Sequence, residues 1–174
     1  MQVVIRPIEE KEVDILRDIA IKTFTHSYEH LNTPANFKWY IDRAFTREKL
    51  LAELRNPESF YYFIEVEEDY AGYLKLNIEN SQTEKFGPAY LEIERIYLDH
   101  NFQGKGIGGI MIDFSMEQAK TMGKTRMWLG VWDQNPGAIQ FYKRMGFQIV
   151  GDHIFTFGDE DQTDFIMEMN VLRN

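Results

Sequence analysis

Three stretches of the chain carry residue types at spacings that can do chemistry. The first is FQGKGIGG, residues 102–109, with four glycines in eight positions ahead of an apolar run of helical spacing. A glycine inside a helix costs roughly 1 kcal/mol relative to alanine, so four together point to a backbone that turns tightly or approaches something closely. A strand, a glycine turn and a helix start make an anion site, because the first helical N–H groups lack intrahelical partners and the helix dipole adds positive charge. Gly104, Gly106, Gly108 and Gly109 are candidates for cradling a phosphate, with Lys105 supplying charge. Gly104, Gly106 and Gly109 also satisfy the dinucleotide spacing G-x-G-x-x-G, but Lys124 and Thr125, roughly 20 residues on, offer no acid for a ribose. A Walker loop needs G-K-[ST] after four intervening residues, and Gly106-Ile107 follows Lys105 instead. Tight turning and close helix packing are the competing reading of the same glycines.

The second stretch is LEIERIYL, residues 91–98. A strand period of two places Glu92 and Glu94 on one face, away from Leu91, Ile93, Arg95 and Tyr97. Two carboxylates sharing a face can raise one another's pKa toward neutrality, as a general base requires. The bland alternative is a pair of exposed glutamates, one of them bound to a lysine. The third stretch is NPGAIQFYKRMGF, residues 135–147, where Asn135 and Tyr142 lie two turns apart on one face of a short helix. Taken alone, that tyrosine reads as core packing. The histidines, His26, His30, His100 and His153, show no zinc pattern with a partnering glutamate, and no metal is expected.

The elements that must position these stretches follow from periodicity. QVVIRPI reads as a short strand, and Val13, Leu16, Ile19, Ala20 and Phe24 recur at helical spacing from Glu9 to Thr23. Thr33-Pro34 predicts an N-cap and first helical residue for a helix through Phe45, and Thr46 predicts the cap of another to Arg55. SFYYFIEV and YAGYLKLNI form a hairpin about Glu67-Glu68-Asp69, and AYLEIERIYL is a third strong strand. A helix from Gly106 to Met122, the strand TRMWLGVW, a helix from Pro136 to Met145 and two closing strands, FQIVGDHIFTF and TDFIMEMNVL, complete the chain. One domain over residues 1–174 is expected, of α/β (α+β) class, with a central mixed sheet flanked by helices and a parallel crossover in its middle.

Composition narrows the function. There is no cysteine, which removes disulfides, thiolate metal sites and cysteine nucleophiles together. Nineteen Lys and Arg against 28 Asp and Glu give a net charge of −9, the wrong sign for direct nucleic-acid contact. The acid is uneven: between Met145 and Leu172 there is no Lys or Arg, yet Asp152, Asp159, Glu160, Asp161, Asp164 and Glu168 fall there. Such faces are either simply solvated or attractive to cations. The first residues lack a signal peptide's basic and apolar regions, and no run approaches the ~20 apolar residues of a membrane span, so a cytoplasmic protein without membrane contact is expected.

Taken together, RIYLDHNFQGKGIGG and WLGVWDQNPGAIQFYKRMGF resemble the GCN5-related N-acetyltransferase (GNAT) family. Gln103 to Gly108 match its Q-x-x-G-x-G pyrophosphate loop, and Asn135, Ala138, Phe141, Tyr142 and Met145-Gly146-Phe147 match N-x-x-A-x-x-F-Y-x-x-x-G-F. The order of elements agrees, so the resemblance spans essentially the whole chain and implies a mostly antiparallel, twisted sheet. The tail FGDEDQTDFIM, with Gly158 to Asp164, looks further like PaiA-type spermidine/spermine acetyltransferases.

The resemblance implies acetyl-CoA as donor, held at its pyrophosphate by Gln103, Gly104, Lys105, Gly106, Ile107, Gly108 and Gly109. It implies that the strand Ile96-Tyr97-Leu98 receives the pantetheine and acetyl group, with the Leu98 N–H as oxyanion donor. Asn135 and Ala138 would meet the pantetheine arm, Lys143 would reach phosphate, and Tyr142 would protonate the leaving thiolate. Glu92, eleven residues before Gln103, stands where related histone acetyltransferases carry their base, and Glu94 is one step nearer the thioester. Tyr28, Phe37, Trp39 and Tyr40 fall in the segment that covers the acceptor in such enzymes. The implied reaction is direct acetyl transfer to a primary amine of a small cationic polyamine. Other amine acceptors, or acetyl-CoA binding without turnover, are the alternatives, and a homodimer is compatible with the family.

Overall fold

The computed structural model describes residues 1–172. β1 (Val3–Pro7) leads through a 3-10 turn at Glu10–Glu12 into α1 (Val13–Tyr28). The helical spacing predicted a start at Glu9 and an end at Thr23. Glu9 and Glu12 instead cap the 3-10 turn reciprocally, which delays the α-helix by one turn, and the helix runs on to Tyr28. Thr33 and Thr46 cap α2 (Pro34–Ala44) and α3 (Arg47–Arg55), their side-chain oxygens accepting the N–H of Asn36 and Lys49 at 3.2 Å.

β2 (Ser59–Val66) and β3 (Asp69–Asn77) form the expected hairpin, closed by Glu67 (φ 52°) and Glu68 (φ 75°) in the two-residue turn whose twist suits paired strands. β4 (Tyr90–Leu98), α4 (Ile107–Thr121), β5 (Arg126–Trp132), α5 (Pro136–Met145), β6 (Gln148–Phe157) and β7 (Glu160–Asn170) follow. The seven strands make one sheet in the order β1-β2-β3-β4-β5-β7-β6, antiparallel at every pairing except β4 with β5. That parallel pair is joined by the α4 crossover, as parallel strands must be.

Each face of the sheet carries its own core. Ile107, Met111 and Ile112 of α4 and Ile139 of α5 pack with Leu74, Leu76, Leu91, Ile93, Met127 and Leu129 on one side. Leu16, Ala20 and Phe24 of α1 and Leu50 of α3 pack with Tyr61, Phe63 and Tyr73 on the other. Lys75 faces Arg95 across the β3–β4 ladder, but the next residue, Leu76, faces Ile93, so Glu94 is a bulge with no partner opposite.

The bulge corrects the strict period of two. Arg95 and Tyr97 do not oppose Glu92. The extra residue resets the parity, sending both to the α1–α3 face with Glu92 and returning Ile96 and Leu98 to the face of Leu91 and Ile93.

Candidate active site

The parallel seam is short. β4 and β5 pair only at Tyr90–Arg126, Leu91–Met127 and Glu92–Trp128, after which the strands diverge. The wedge between them opens into a cleft of about 1250 Å³ lined by residues 93–98 of β4, residues 129–132 of β5 and the starts of α4 and α5. On the β3 side, the Asp99 N–H donates to Ala71 O at 2.8 Å. Alternation along an antiparallel edge therefore turns the N–H groups of Ile96 and Leu98 away from β3 and toward the wedge.

Gln103 reaches back from the glycine loop, its side-chain amide donating to Leu98 O at 3.1 Å. Gly104 (φ 72°) and Gly106 (φ 81°) occupy the left-handed region, where a side chain is strained, and a Cβ on either would meet open space. Gly106 is the N-cap of α4, and no acid falls in the helix's first turn, so the exposed amide end suits an anion. Gly108 serves packing: a Cβ there would lie 3.1 Å from the Phe141 ring, which brings α5 against α4. At Gly109 a Cβ would come no nearer than 3.9 Å to Met145, so no close approach demands glycine there. Gln103, Gly104, Gly106, Gly108 and Gly109 all line the cleft. Two of the loop residues expected to bind lie outside that lining. Ile107 is buried in the core beneath α4, and the Lys105 ammonium lies over the Phe102 ring outside the lining.

On α5, the Asn135 side chain accepts the Ala138 N–H at 3.2 Å and caps the helix, and Asn135, Ala138, Phe141 and Tyr142 face the cleft. Tyr142 is 9% exposed and packs against Phe141 and Phe147. Burial pushes its phenol above the usual tyrosine value. Lys143 is exposed and outside the lining; Arg144, one residue on and turned toward the cleft, lines it instead. Only the rotation of the helix distinguishes these neighbouring cations.

Glu92 and Glu94 meet on one amide. Asn77 Nδ2 donates to Glu92 Oε2 at 3.0 Å and to Glu94 Oε2 at 2.6 Å. The two carboxylates do not shift together, as sharing a face predicted. Burial raises Glu92, against the hydrogen bonds from Asn77 and Thr83, whereas for Glu94 the neighbouring Arg95 and Lys75 outweigh burial and hold it below the carboxylate range. Thr83 binds Glu92 through its backbone N–H at 2.9 Å and through its hydroxyl.

The far end of the cleft is aromatic and acidic. Phe24, Tyr28, Tyr40, Phe45, Phe155 and Phe157 line it together with Glu84 and Asp164. Tyr40 stacks on Phe24 at 4.5 Å and on Phe157 at 4.9 Å. Burial raises the Asp164 carboxyl, partly offset by His153, whose Nε2 lies 3.6 Å from it; Nδ1 of the same ring lies 3.0 Å from Glu84. Of the aromatics expected over the acceptor, Tyr28 and Tyr40 line the cleft, while Phe37 packs in the α1–α3 core and Trp39 lies under Arg43.

The acidic stretch Gly158 to Asp164 acts mainly as a fastener. Asn36 Nδ2 donates to Asp159 Oδ1 at 2.7 Å, the Asp159 N–H donates to Asn36 Oδ1 at 3.3 Å, and Gln162 Nε2 donates to Asn32 Oδ1 at 3.0 Å. These bonds tie the α1–α2 segment to the β6–β7 turn. Gln162 and Asp164 are the residues of the stretch that line the cleft. Among the described residues, no group of three or more His, Asp or Glu could hold a metal ion, and no helix is long and apolar enough to cross a membrane.

The family profile for Acetyltransferase (GNAT) matches residues 13–147. An N-acetyltransferase of Lactobacillus delbrueckii subsp. lactis, from the pepI 3′ region and uncharacterized, is 36% identical over 161 residues, covering 92% of this chain and 93% of its own. A spermine/spermidine N(1)-acetyltransferase of Bacillus subtilis is 30% identical over 99 residues, 55% of this chain and 61% of its own. Among solved structures, the PaiA N-acetyltransferase of Thermoplasma acidophilum in complex with coenzyme A superposes with a TM-score of 0.80 at 23% identity, over 98% of this chain and 99% of that one. The splayed parallel pair, the glycine loop at the head of α4 and the capped α5 are thus features of an acetyl-CoA-dependent N-acetyltransferase fold, and the chain belongs to the GNAT family.

Proposed function

We propose that this enzyme transfers the acetyl group of acetyl-CoA directly to a primary amine of a polyamine of the spermidine or spermine class. The observation that carries the reading is the acceptor end of the cleft, where Glu84, Glu92, Glu94 and Asp164 stand among aromatic rings. Carboxylates attract the ammonium groups, and aromatic faces suit the methylene segments between them. The absence of cysteine agrees with direct transfer rather than an acyl-cysteine enzyme.

An alkyl ammonium with a pKa near 10.4 costs roughly 4–5 kcal/mol to deprotonate at pH 7, so the acceptor needs a base in reach. A glutamate of β4 takes one proton from the ammonium. The freed nitrogen forms its bond to the acetyl carbon as the carbon–sulfur bond breaks. The Leu98 N–H serves as donor to the acetyl oxygen, and Tyr142 supplies the sulfur's proton and is refilled from the attacking nitrogen. Of the ammonium's three protons, one ends on the glutamate, one on sulfur and one stays on the amide nitrogen, and the charges of ammonium and carboxylate cancel. Gln103 and the amides around Gly104 and Gly106 hold the pyrophosphate, with Arg144 adding charge at the cleft wall.

The test is thiol release from acetyl-CoA with a panel of amines: spermine, spermidine, putrescine, free lysine, an aminoglycoside and a peptide with a free N-terminus. Spermine or spermidine should give the highest kcat/KM by about tenfold or more, the value of one added ion pair in a partly dry cleft. Putrescine, lysine, the aminoglycoside or the peptide leading the panel refutes the spermidine/spermine assignment.

A further inference from the structure

Beneath the acceptor end lies a buried charge network around the β4 glutamates whose cations the transfer reaction, as described so far, does not use. Lys75 of β3 is 5% exposed, and its ammonium lies 2.5 Å from Glu94, 3.4 Å from Glu53 of α3 and 5.6 Å from the Tyr61 ring centroid of β2. Arg95 lies 3.4 Å from Glu53 and donates to the Tyr61 hydroxyl at 2.8 Å. Tyr40 of α2 and Tyr73 of β3 complete the titratable groups facing Glu94. Two cations thus face Glu53 and Glu94, a balanced quartet. Glu92, 2% exposed and bound to the same Asn77 amide as Glu94, has no cation among the described residues. Asn77 cannot turn to change this, because Ser59 Oγ donates to its Oδ1 at 2.9 Å and leaves the NH₂ for the two carboxylates.

From this geometry we infer that Lys75 is a positioning residue that commits Glu94 to an ion pair and so leaves Glu92 as the carboxylate that takes the amine's proton. The inference rests on the amine-acetylating reading above and deepens it. The network carries one more negative than positive charge, and that charge sits on Glu92, complementary to an arriving ammonium. After one proton passes from nitrogen to the Glu92 carboxylate, both partners are neutral, and a neutral acid is what a buried site tolerates. Glu94 cannot serve as well, because a carboxylate stabilised by Lys75 and Arg95 is a weak proton acceptor. The bulge is what makes the division workable. It places Lys75 opposite Arg95 while Glu94 bends out to reach the Lys75 ammonium.

Two measurements on the intact enzyme test it. The first is the pH profile of kcat/KM for amine-dependent thiol release in wild type, Lys75→Met and Lys75→Arg. Loss of the ammonium removes a positive charge that favours ionised carboxylate, so Lys75→Met should move the acid limb up by about one pH unit or more, and Lys75→Arg should restore it. A purely structural lysine would lower the plateau and leave the limb in place, which overturns the inference. The second is ¹³C NMR of glutamate-labelled enzyme, with signals assigned through Glu92→Gln and Glu94→Gln. Glu92 should titrate above Glu94 in wild type, and the gap should narrow in Lys75→Met. Glu94 titrating above Glu92 refutes the inference. If Lys75→Met fails to fold, Glu94→Gln replaces it: removing the neighbouring negative charge should move the acid limb down, and an unmoved limb counts against the division of roles. If no amine is acetylated by the wild type, the proposed function fails, while the NMR order of the two glutamates still decides the role of Lys75.

Discussion

Replacing Gly158 by alanine isolates the fastener that holds α2 over the acceptor end. Gly158 has φ 67°, and a Cβ built there falls 2.1 Å from Asn36 Oδ1 and 2.5 Å from Asn36 Cγ. Two costs follow. A non-glycine residue in the left-handed region costs about 1 kcal/mol. The Asn36 side chain, itself buried, must also leave, and with it go the bonds to Asp159 at 2.7 and 3.3 Å, worth about 2 kcal/mol together. The sum, about 3 kcal/mol, corresponds to a fall in Tm of roughly 6–12 °C for a chain of this size. Urea unfolding of Gly158→Ala, Asn36→Ala and the double variant separates the two parts. On an Asn36→Ala background the contacts with Oδ1 and Cγ are gone and only the Cβ contact at 3.0 Å remains, so Gly158→Ala should cost little more than the backbone strain of about 1 kcal/mol there. Because α2 carries Tyr40 into the cleft, the single variant should also raise KM for the amine more than it lowers kcat. A Gly158→Ala protein as stable as wild type, or one whose cost is the same with and without Asn36, refutes the reasoning.

Tyr142→Phe keeps the ring packing and removes the proton donor, so kcat for thiol release should fall by about 10²-fold or more with the thermal midpoint nearly unchanged. Glu92→Gln should separate activity from stability. Burial raises the folded-state pKa of Glu92 above its unfolded value, so the folded protein binds the extra proton between the two and stability declines as pH rises through that window. Above it the ionised carboxylate costs stability. The variant's midpoint should therefore equal or exceed wild type at neutral pH, an advantage that shrinks on acidification, while turnover drops; differential scanning fluorimetry from about pH 5 to about pH 8 measures it. Arg144→Ala should raise KM for acetyl-CoA about tenfold, the scale of a charge-assisted hydrogen bond, whereas Lys143→Ala should leave it within about twofold; steady-state kinetics in both variants decides between these neighbours.

Local signals in the chain carried most of the fold. Thr33 and Thr46 marked helix starts because a short hydroxyl side chain satisfies amides only a few residues away, and α5 runs from Pro136 to Met145 as its Asn-Pro start and Gly146 (φ 99°) demand. The loop from Gln103 to Gly109 was legible for the same reason, since its chemistry lies in consecutive backbone. What escaped depends on partners distant in sequence. The Glu94 bulge shows only in the register of β4 against β3, where Lys75 faces Arg95 and Leu76 faces Ile93, and strand periodicity alone is blind to that. By charge the stretch Gly158 to Asp164 read as either a solvated face or one attractive to cations, and neither reading contains the bonds of Asp159 and Gln162 to Asn36 and Asn32, more than a hundred residues earlier. That Arg144 lines the cleft and Lys143 does not was not legible, because one residue of helix is a rotation of about 100°, finer than a motif match resolves.

The three-rung seam between β4 and β5 gives the sheet a mechanical character. It divides four strands, β1 to β4, from three, β5 to β7, and its last rung is Glu92 opposite Trp128. The sheet is therefore two leaves on a short hinge, and Glu92, the carboxylate we propose as proton acceptor, sits at the hinge pin. A molecule that hydrogen-bonds to both diverging edges adds rungs the chain lacks, so the donor becomes a keystone as well as a reactant. Donor affinity and the stiffness of the hinge are then one linked quantity. A substitution at the seam, touching neither substrate, would register as weaker donor binding, and a bound donor would brace the very carboxylate that must meet the amine.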